Sequence, residues 1–196
     1  MVKSDDEVLW MDQIAKGNES ALSKIYERYA VKVFNTVISY TRNHEDAEEI
    51  HQDVFVTIYH TANTFRRDAQ VSTWIYRITV NKSLDFLRKK KSLKRSGIFT
   101  SLYKSGSVNL AVESPDFIHP GVKMEQAENA EILFRMIDAI PEKQKTAFIL
   151  TQIEELSQKE TAAIMDISRK AVESLLKRAK NNLKRELEKL YPNRGK

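Results

Sequence analysis

The sequence predicts an all-α fold of two small helical domains joined by a flexible linker, and three observations carry that prediction. Only five Gly and four Pro interrupt 196 residues, of which 41% are hydrophobic and 30% charged, a mixture that suits amphipathic helices. Apolar residues return every three or four positions in successive stretches, several opened by an Asn, Ser or Thr placed to cap a helix. The periodicity stops over 96–121, where SGIFTSLYKSGSVNLAVESPDFIHPG is rich in Ser, Gly and Pro, so the chain divides into modules at about 5–95 and 123–196 with 96–122 as the linker. A flexible coil of about 26 residues averages about 30 Å end to end and reaches roughly 85 Å when drawn out.

In chain order, a short helix is expected over 5–16. The next, NESALSKIYERYAVKVFNTVISYTR, takes Asn18 or Ser20 as its cap and sets Leu22, Ile25, Tyr29, Val33 and Val37 at helical spacing. A third begins at Asn43 or His44 and fills its first turn with acids, as the helix dipole favours. NTFRRDAQVST then breaks the pattern, and Ser72 or Thr73 caps a fourth helix, TWIYRITVNKSLDFLRKKK, which closes on the cations Arg88, Lys89, Lys90 and Lys91. Beyond the linker, helices resume over 123–139, restart after Ile140-Pro141 and run into KETAAIMDISRKAVESLLKRAK. There Ala162 or Ala163 is small enough to face a partner helix. Asp166 stands where the turn needs a left-handed backbone, and Ser168 caps the last helix, which is the pattern of a helix-turn-helix.

Composition narrows the function. No run approaches the roughly 20 apolar residues of a membrane helix, and MVKSDDEVLW lacks the order of a secretory signal, so a cytoplasmic protein is expected. The absence of cysteine excludes disulfides, thiolate metal sites and a Cys nucleophile. No Gly-rich phosphate loop, His–acid pair or ligand cluster appears, so neither an enzyme nor a cofactor is expected. His44, Glu48 and His51 have helical spacing that suits a metal but lack a fourth ligand, and no metal is expected either. Charge is segregated along the chain: 6 basic and 11 acidic residues over 1–62, 11 and 2 over 63–110, 4 and 8 over 111–154, and 11 and 6 over 155–196. Alternating basic and acidic blocks suit a protein that touches a polyanion at two places and something else at two others.

On the last helix, Val172, Leu175, Leu176, Ala179, Leu183, Leu187 and Leu190 gather on one side. Lys170, Ser174 and Lys177 gather on the other, flanked by Arg169, Glu173 and Arg178, with Ser168 at the start. Such a face enters a major groove, its cations meeting guanine edges and phosphates and its Glu accepting from cytosine. A helical hairpin with a solvated basic face fits the same residues. On the fourth helix, Ile75, Ile78, Thr79 and Phe86 form an apolar face, while Trp74, Arg77, Asn81, Asp85 and Arg88 line a separate stripe beside Phe65, Arg66 and Arg67 of the preceding loop. An aromatic and an amide among cations suit a single DNA strand, although a residue such as Trp74 is more often part of a core than a base platform. Asp46, Glu48, Glu49 and Asp53 read either as a solvated face or as a surface for a basic protein partner.

The segment PEKQKTAFILTQIEELSQKETAAIMDISRKAVESLLKRAKNNLK resembles domain 4 of the extracytoplasmic-function sigma factors, the bacterial RNA polymerase subunits that select promoters. The likeness lies in Ile140-Pro141, Leu156-Ser157, the turn from Ile164 to Ser168 and the helix from Ala171 to Lys180, with departures at Asp166, Glu173 and Leu175. NHEDAEEIHQDVFVTIY and TFRRDAQVSTWIYRITVNKSLDFLRKK resemble domain 2 of the same family. The resemblance implies that domain 4 reads the −35 duplex through Ser168, Arg169, Lys170, Glu173, Ser174, Lys177 and Arg178. It implies that domain 2 opens and reads the −10 strand through Phe65, Arg66, Arg67, Trp74, Arg77, Asn81 and Arg88, and docks on core RNA polymerase through Asp46, Glu49, Gln52, Asp53 and Phe55. The implied partners are the β′ clamp helices and β flap of polymerase, double- and single-stranded promoter DNA, and an anti-sigma factor of the kind that commonly spans the membrane, with the chain itself a monomer. An ordinary helix-turn-helix regulator, with an N-terminal bundle that senses a ligand or dimerises, would bind duplex DNA alone and would not need the Trp74, Arg77, Asn81 stripe.

Overall fold

The computed structural model describes residues 4–95 and 127–190, and its regular structure among them is helical throughout. The expected linker lies outside the described residues. Helix α1 (Ser4–Ile14) packs on α2 (Glu19–Thr41) through Met11 and Ile14, both nearly inaccessible. Asn18 caps α2, its side chain accepting from the Ala21 amide at 3.1 Å, and Arg42 ends it in a left-handed conformation with φ of 55°. Asn43 caps α3 (His44–Thr61) in the same way, accepting from the Asp46 amide at 2.8 Å. A 3-10 turn (Ala62–Thr64) then leads through a loop into α4 (Val71–Arg95).

The start of α4 corrects the expected cap. Neither Ser72 nor Thr73 precedes the helix; the Trp74 amide already donates to the Gln70 carbonyl at 3.2 Å. Val71 is only 2% exposed, and its burial draws the helix back by two or three residues, leaving Thr73 to face the core. Helices α1 to α4 close around Ile25, Val33, Val37, Val54, Ile58 and Ile75.

In the C-terminal half, α5 (Ala127–Ala139) gives way at Ile140 and Pro141 to α6 (Glu142–Phe148), which continues as a π-helical turn (Ile149–Ile153). Proline suits this start because it has no amide hydrogen to leave unpaired. Ser157 and Glu160 form a reciprocal capping box on α7 (Gln158–Met165). Asp166 takes the left-handed conformation the turn requires, φ 54° and ψ 48°, with its amide donating to the Ala162 carbonyl. Ser168 then accepts from the Ala171 amide at 3.2 Å and opens α8 (Arg169–Leu190). Val172, Leu176, Ala179 and Leu183 are buried, Leu175 is half-buried, and Leu187 at 44% exposed marks where cover of the apolar stripe ends.

The halves meet. Helix α4 packs on α7, and α2 on the π-helical turn, so that Phe134, Ile137, Ile140, Ile149 and Leu150 join the hydrophobic core of the N-terminal bundle.

Candidate nucleic-acid interface

The loop before α4 and the first turns of α4 enclose a pocket of about 260 Å³ lined by Thr64, Arg66, Asp68, Ala69, Trp74 and Arg77. Trp74 is half-buried, packed against the core while it lines the pocket. Phe65 does not line the pocket; its ring meets Trp74 edge-on with centroids 5.7 Å apart, which fixes the indole from behind. Arg66 is exposed. Arg67 turns away and donates to Asp12 of α1 at 2.5 Å. Asn81 is exposed one turn beyond Arg77, and Arg88 is held by Asp85 at 3.0 Å and by Glu142 at 2.6 Å. Of the seven residues expected on this surface, the structure therefore gathers Arg66, Trp74 and Arg77 around one concavity, supports it with Phe65, and strings Asn81 and Arg88 along the helix that leaves it. Thr64, Asp68 and Ala69 of the lining were missed. Their loop position was the available signal, but small and acidic residues between arginines carry no nucleic-acid signature of their own.

The second surface is the outer face of α8. Ser168, Arg169, Lys170, Glu173, Lys177 and Arg178 are exposed there and Ser174 is half-buried. Arg178 donates to the Ser174 hydroxyl at 2.8 Å, which draws the guanidinium over the helix surface. The opposite side of α8 packs on α5, α6 and α7, and a fixed helix with a free polar face is the geometry a groove requires.

The third surface is α3. Glu49, Gln52 and Asp53 are exposed, and Asp46 is partly covered. Asp46 accepts from Lys90 at 2.5 Å and Asp53 lies 3.5 Å from Lys82, so two of the acids also tie α3 to α4. Phe55 is 6% exposed, its ring tilted against Tyr26 at 4.7 Å and edge-on to His51 at 5.1 Å between centroids; it shapes the α2–α3 seam from below. The exposed Val56 continues the row of Glu45, Glu49 and Gln52 at spacings of four and three, and an apolar residue on that row was the signal that sequence reading passed over. His44 pairs with Glu48 at 3.4 Å, whereas the His51 ring contacts the Ala30 carbonyl at 3.1 Å, so the three do not converge. Burial lowers the His51 pKa, which keeps the ring neutral in its aromatic seat. Among the described residues no group of three acids or histidines suits a metal, and no helix is long and apolar enough to cross a membrane.

Cations from the first surface reach across to the C-terminal half. Arg77 donates to the Ala163 carbonyl from Nε at 2.9 Å and from Nη2 at 2.5 Å. Asp138 receives Arg42 at 2.7 Å and Lys145 at 2.5 Å, and Lys145, only 7% exposed, also donates to the Tyr40 carbonyl at 3.3 Å. Glu154 sits between Thr36 and Tyr76 with its Oε1 unpartnered; burial pushes its pKa up to about 7, while the two hydroxyls and Lys32 pull the other way.

Comparison with known proteins matches two regions of the chain, and the three surfaces fall within them. Sigma-70 region 2 matches residues 25–93 and Sigma-70 region 4 matches residues 130–183. The ECF RNA polymerase sigma-E factor of Escherichia coli K12 is 30% identical over 189 residues, covering 94% of this chain and 95% of its own. The ECF RNA polymerase sigma factor SigW of Bacillus subtilis is 29% identical over 182 residues, 91% of this chain and 95% of its own. Among solved structures, CnrH in complex with the cytosolic domain of CnrY has a similar fold, with a TM-score of 0.65 at 22% identity over 93% of this chain and 97% of its own. The sigma factor RpoE of Bartonella quintana, in complex with the anti-sigma factor NepR, gives 0.61 at 19% identity over 85% and 96%.

Proposed function

The chain belongs to the ECF sigma factors of the sigma-70 family, which direct RNA polymerase to promoters to initiate transcription, and from that premise we propose how its residues divide the work. The module at 5–95 docks on the β′ clamp helices of core polymerase through Asp46, Glu49, Gln52 and Asp53, with Phe55 supporting that face. It melts the −10 element by taking an unstacked base into the pocket beside Trp74, while Arg66, Arg77 and Arg88 meet phosphates and Asn81 a base edge. The module at 123–196 reads the −35 duplex with Ser168, Arg169, Lys170, Glu173, Ser174, Lys177 and Arg178, near the β flap. The chain acts as a monomer, in the cytoplasm, without a cofactor and without catalysis of its own.

One observation carries this reading: a concavity lined by Trp74, Arg66 and Arg77 at the start of α4. Unstacking a base costs a few kcal/mol, and stacking it on an aromatic side chain returns about 1 to 3 kcal/mol. Phosphate contacts by neighbouring arginines add to that, so the duplex is held open without ATP. An anti-sigma partner fits the same reading, since RpoE of Bartonella quintana was solved with NepR. The deciding experiment mixes purified chain, core polymerase and a library of random promoter DNA and maps transcript starts. A shared pair of elements upstream of those starts is expected; failure of the chain to associate with core polymerase would overturn the reading. A gel shift separates it from the ordinary regulator, which alone shifts duplex DNA tightly.

A further inference from the structure

We propose that Asp12 of α1 is a positioning residue for strand opening: by holding Arg67 it sets the roll of the turn that brings Arg66 and Asp68 to the pocket beside Trp74. The inference rests on the role given above to that pocket. The chain between α3 and α4 is fixed at both ends by burial, Ala62 of the 3-10 turn being 4% exposed and Val71 of α4 2%. Over the intervening 63–70 no residue is buried; Arg66, Arg67, Asp68 and Gln70 are exposed, and Phe65 and Ala69 are half-buried. The turn over 66–69 is closed by the Ala69 amide on the Arg66 carbonyl at 3.5 Å, the long limit of a hydrogen bond, so its backbone alone does little to fix its orientation.

The side chains of the turn divide between two sides. Arg66, Asp68 and Ala69 line the pocket, whereas Arg67 reaches away from it, Nη2 donating to Asp12 Oδ2 at 2.5 Å. Anchor and lining therefore alternate along four consecutive residues, and a shift of the anchor turns the lining with it. Asp12 is a firm place for that anchor: Met11 and Ile14 beside it on α1 are buried, and α1 also packs on the 3-10 turn and on α4. The two walls of the pocket thus take their positions from different elements, the indole from α4 with the Phe65 ring edge-on to it, and the turn from α1. A pocket formed before the base arrives captures it better than one that must be ordered on arrival, by the fraction of time it is competent. The Asp12 and Arg67 side chains are partly exposed, which makes theirs a surface ion pair of modest strength and limits its effect on opening to a few fold.

The test uses holoenzyme reconstituted from the full chain and core polymerase on a promoter drawn from the mapped transcript starts, with a fluorescent adenine analogue in the −10 strand that brightens on unstacking. Stopped-flow traces over a range of holoenzyme concentrations give the saturating opening rate and the half-saturating concentration. Asp12→Asn and Arg67→Gln should each lower the opening rate about two- to fivefold and leave the half-saturating concentration unchanged. The double variant should be no slower than either single one, because both remove the same contact, and Asp12→Glu should restore most of the rate. The direction is itself diagnostic: loss of an acid near DNA favours binding through charge alone, and an Arg67 released to meet a phosphate would speed opening. An Asp12→Asn rate equal to or above the parent's therefore overturns the proposal. So do losses that add in the double variant, a loss that Asp12→Glu does not restore, or the same loss in Glu27→Gln, an exposed acid on α2. Trp74→Ala separates the two levels. If it opens the promoter as fast as the parent, the role of the pocket falls and this inference with it; if it is slow while Asp12→Asn keeps the parent rate, this inference alone falls.

Discussion

Arg77 is claimed twice, by the Ala163 carbonyl in the structure and, on the proposed reading, by a phosphate in the open promoter. Its replacement should therefore weaken both states, and the two losses are separable. With core polymerase present, Arg77→Ala should lower the yield of open complex about tenfold, the effect of losing one charge-assisted hydrogen bond worth about 1.5 kcal/mol or more, and Asn81→Ala about two- to tenfold, the effect of losing a neutral bond to a base edge. Polymerase association should be unchanged; permanganate reactivity of unpaired thymines measures the first quantity and sedimentation the second. On α8, Lys177→Ala should weaken upstream duplex binding and reduce its salt slope by about one, and an unchanged slope would remove Lys177 from the phosphate contacts. At this scale the sequence is a good guide to residue type and a poor one to company. The stripe of Trp74, Arg77, Asn81 and Arg88 follows from spacing alone. That Arg67 bends to Asp12 does not, because a flexible cation reaches whichever acid the tertiary fold brings near.

Elements were the most legible level where a cap announced them. Asn18, Asn43 and Ser168 each satisfy amides that a helix start leaves open, and each is among the starts the sequence offers, whereas the capping box of Ser157 and Glu160 was not singled out there. The start of α4 was displaced because burial of Val71 outweighs the capping preference of Ser72 or Thr73. The turn between α7 and α8 depends on Asp166 accepting a positive φ. Asp166→Val should destabilise the chain by about 1–2 kcal/mol, since a β-branched residue pays a steric penalty in the left-handed region. Asp166→Gly should be close to neutral, with easier backbone geometry offset by greater unfolded-state freedom. Denaturant melts of the two variants give both numbers, and a Val variant as stable as the parent would show that the turn relaxes elsewhere.

For the whole molecule, periodicity shows which face of each helix is apolar but not which faces meet. Gln144, Lys145 and Thr146 look like solvent-facing residues in EKQKTAF, yet all three are buried, and Lys145 is satisfied by partners as distant as Tyr40, 105 positions away in the chain. Glu154 was equally silent. Its carboxyl, with a pKa pushed up to about 7 from 4.5 by burial, lies between Lys32, Thr36, Tyr40 and Tyr76. A raised folded pKa means that the folded state binds the extra proton, so this stabilisation is complete below the unfolded pKa and is lost as pH rises towards about 7. The chain should lose up to about 3 kcal/mol through this group between about pH 5 and 8, and Glu154→Gln should flatten that part of the profile. Thermal melts across the range decide it, with parallel profiles counting against a protonated Glu154.

The exposure of the α8 face while α4 is engaged with its own chain carries a consequence for timing. On the proposed reading the upstream-facing residues of α8 are ready as the chain stands, whereas Arg77 and Arg88 change partners before they can hold a strand, so the two contacts are not made in one step.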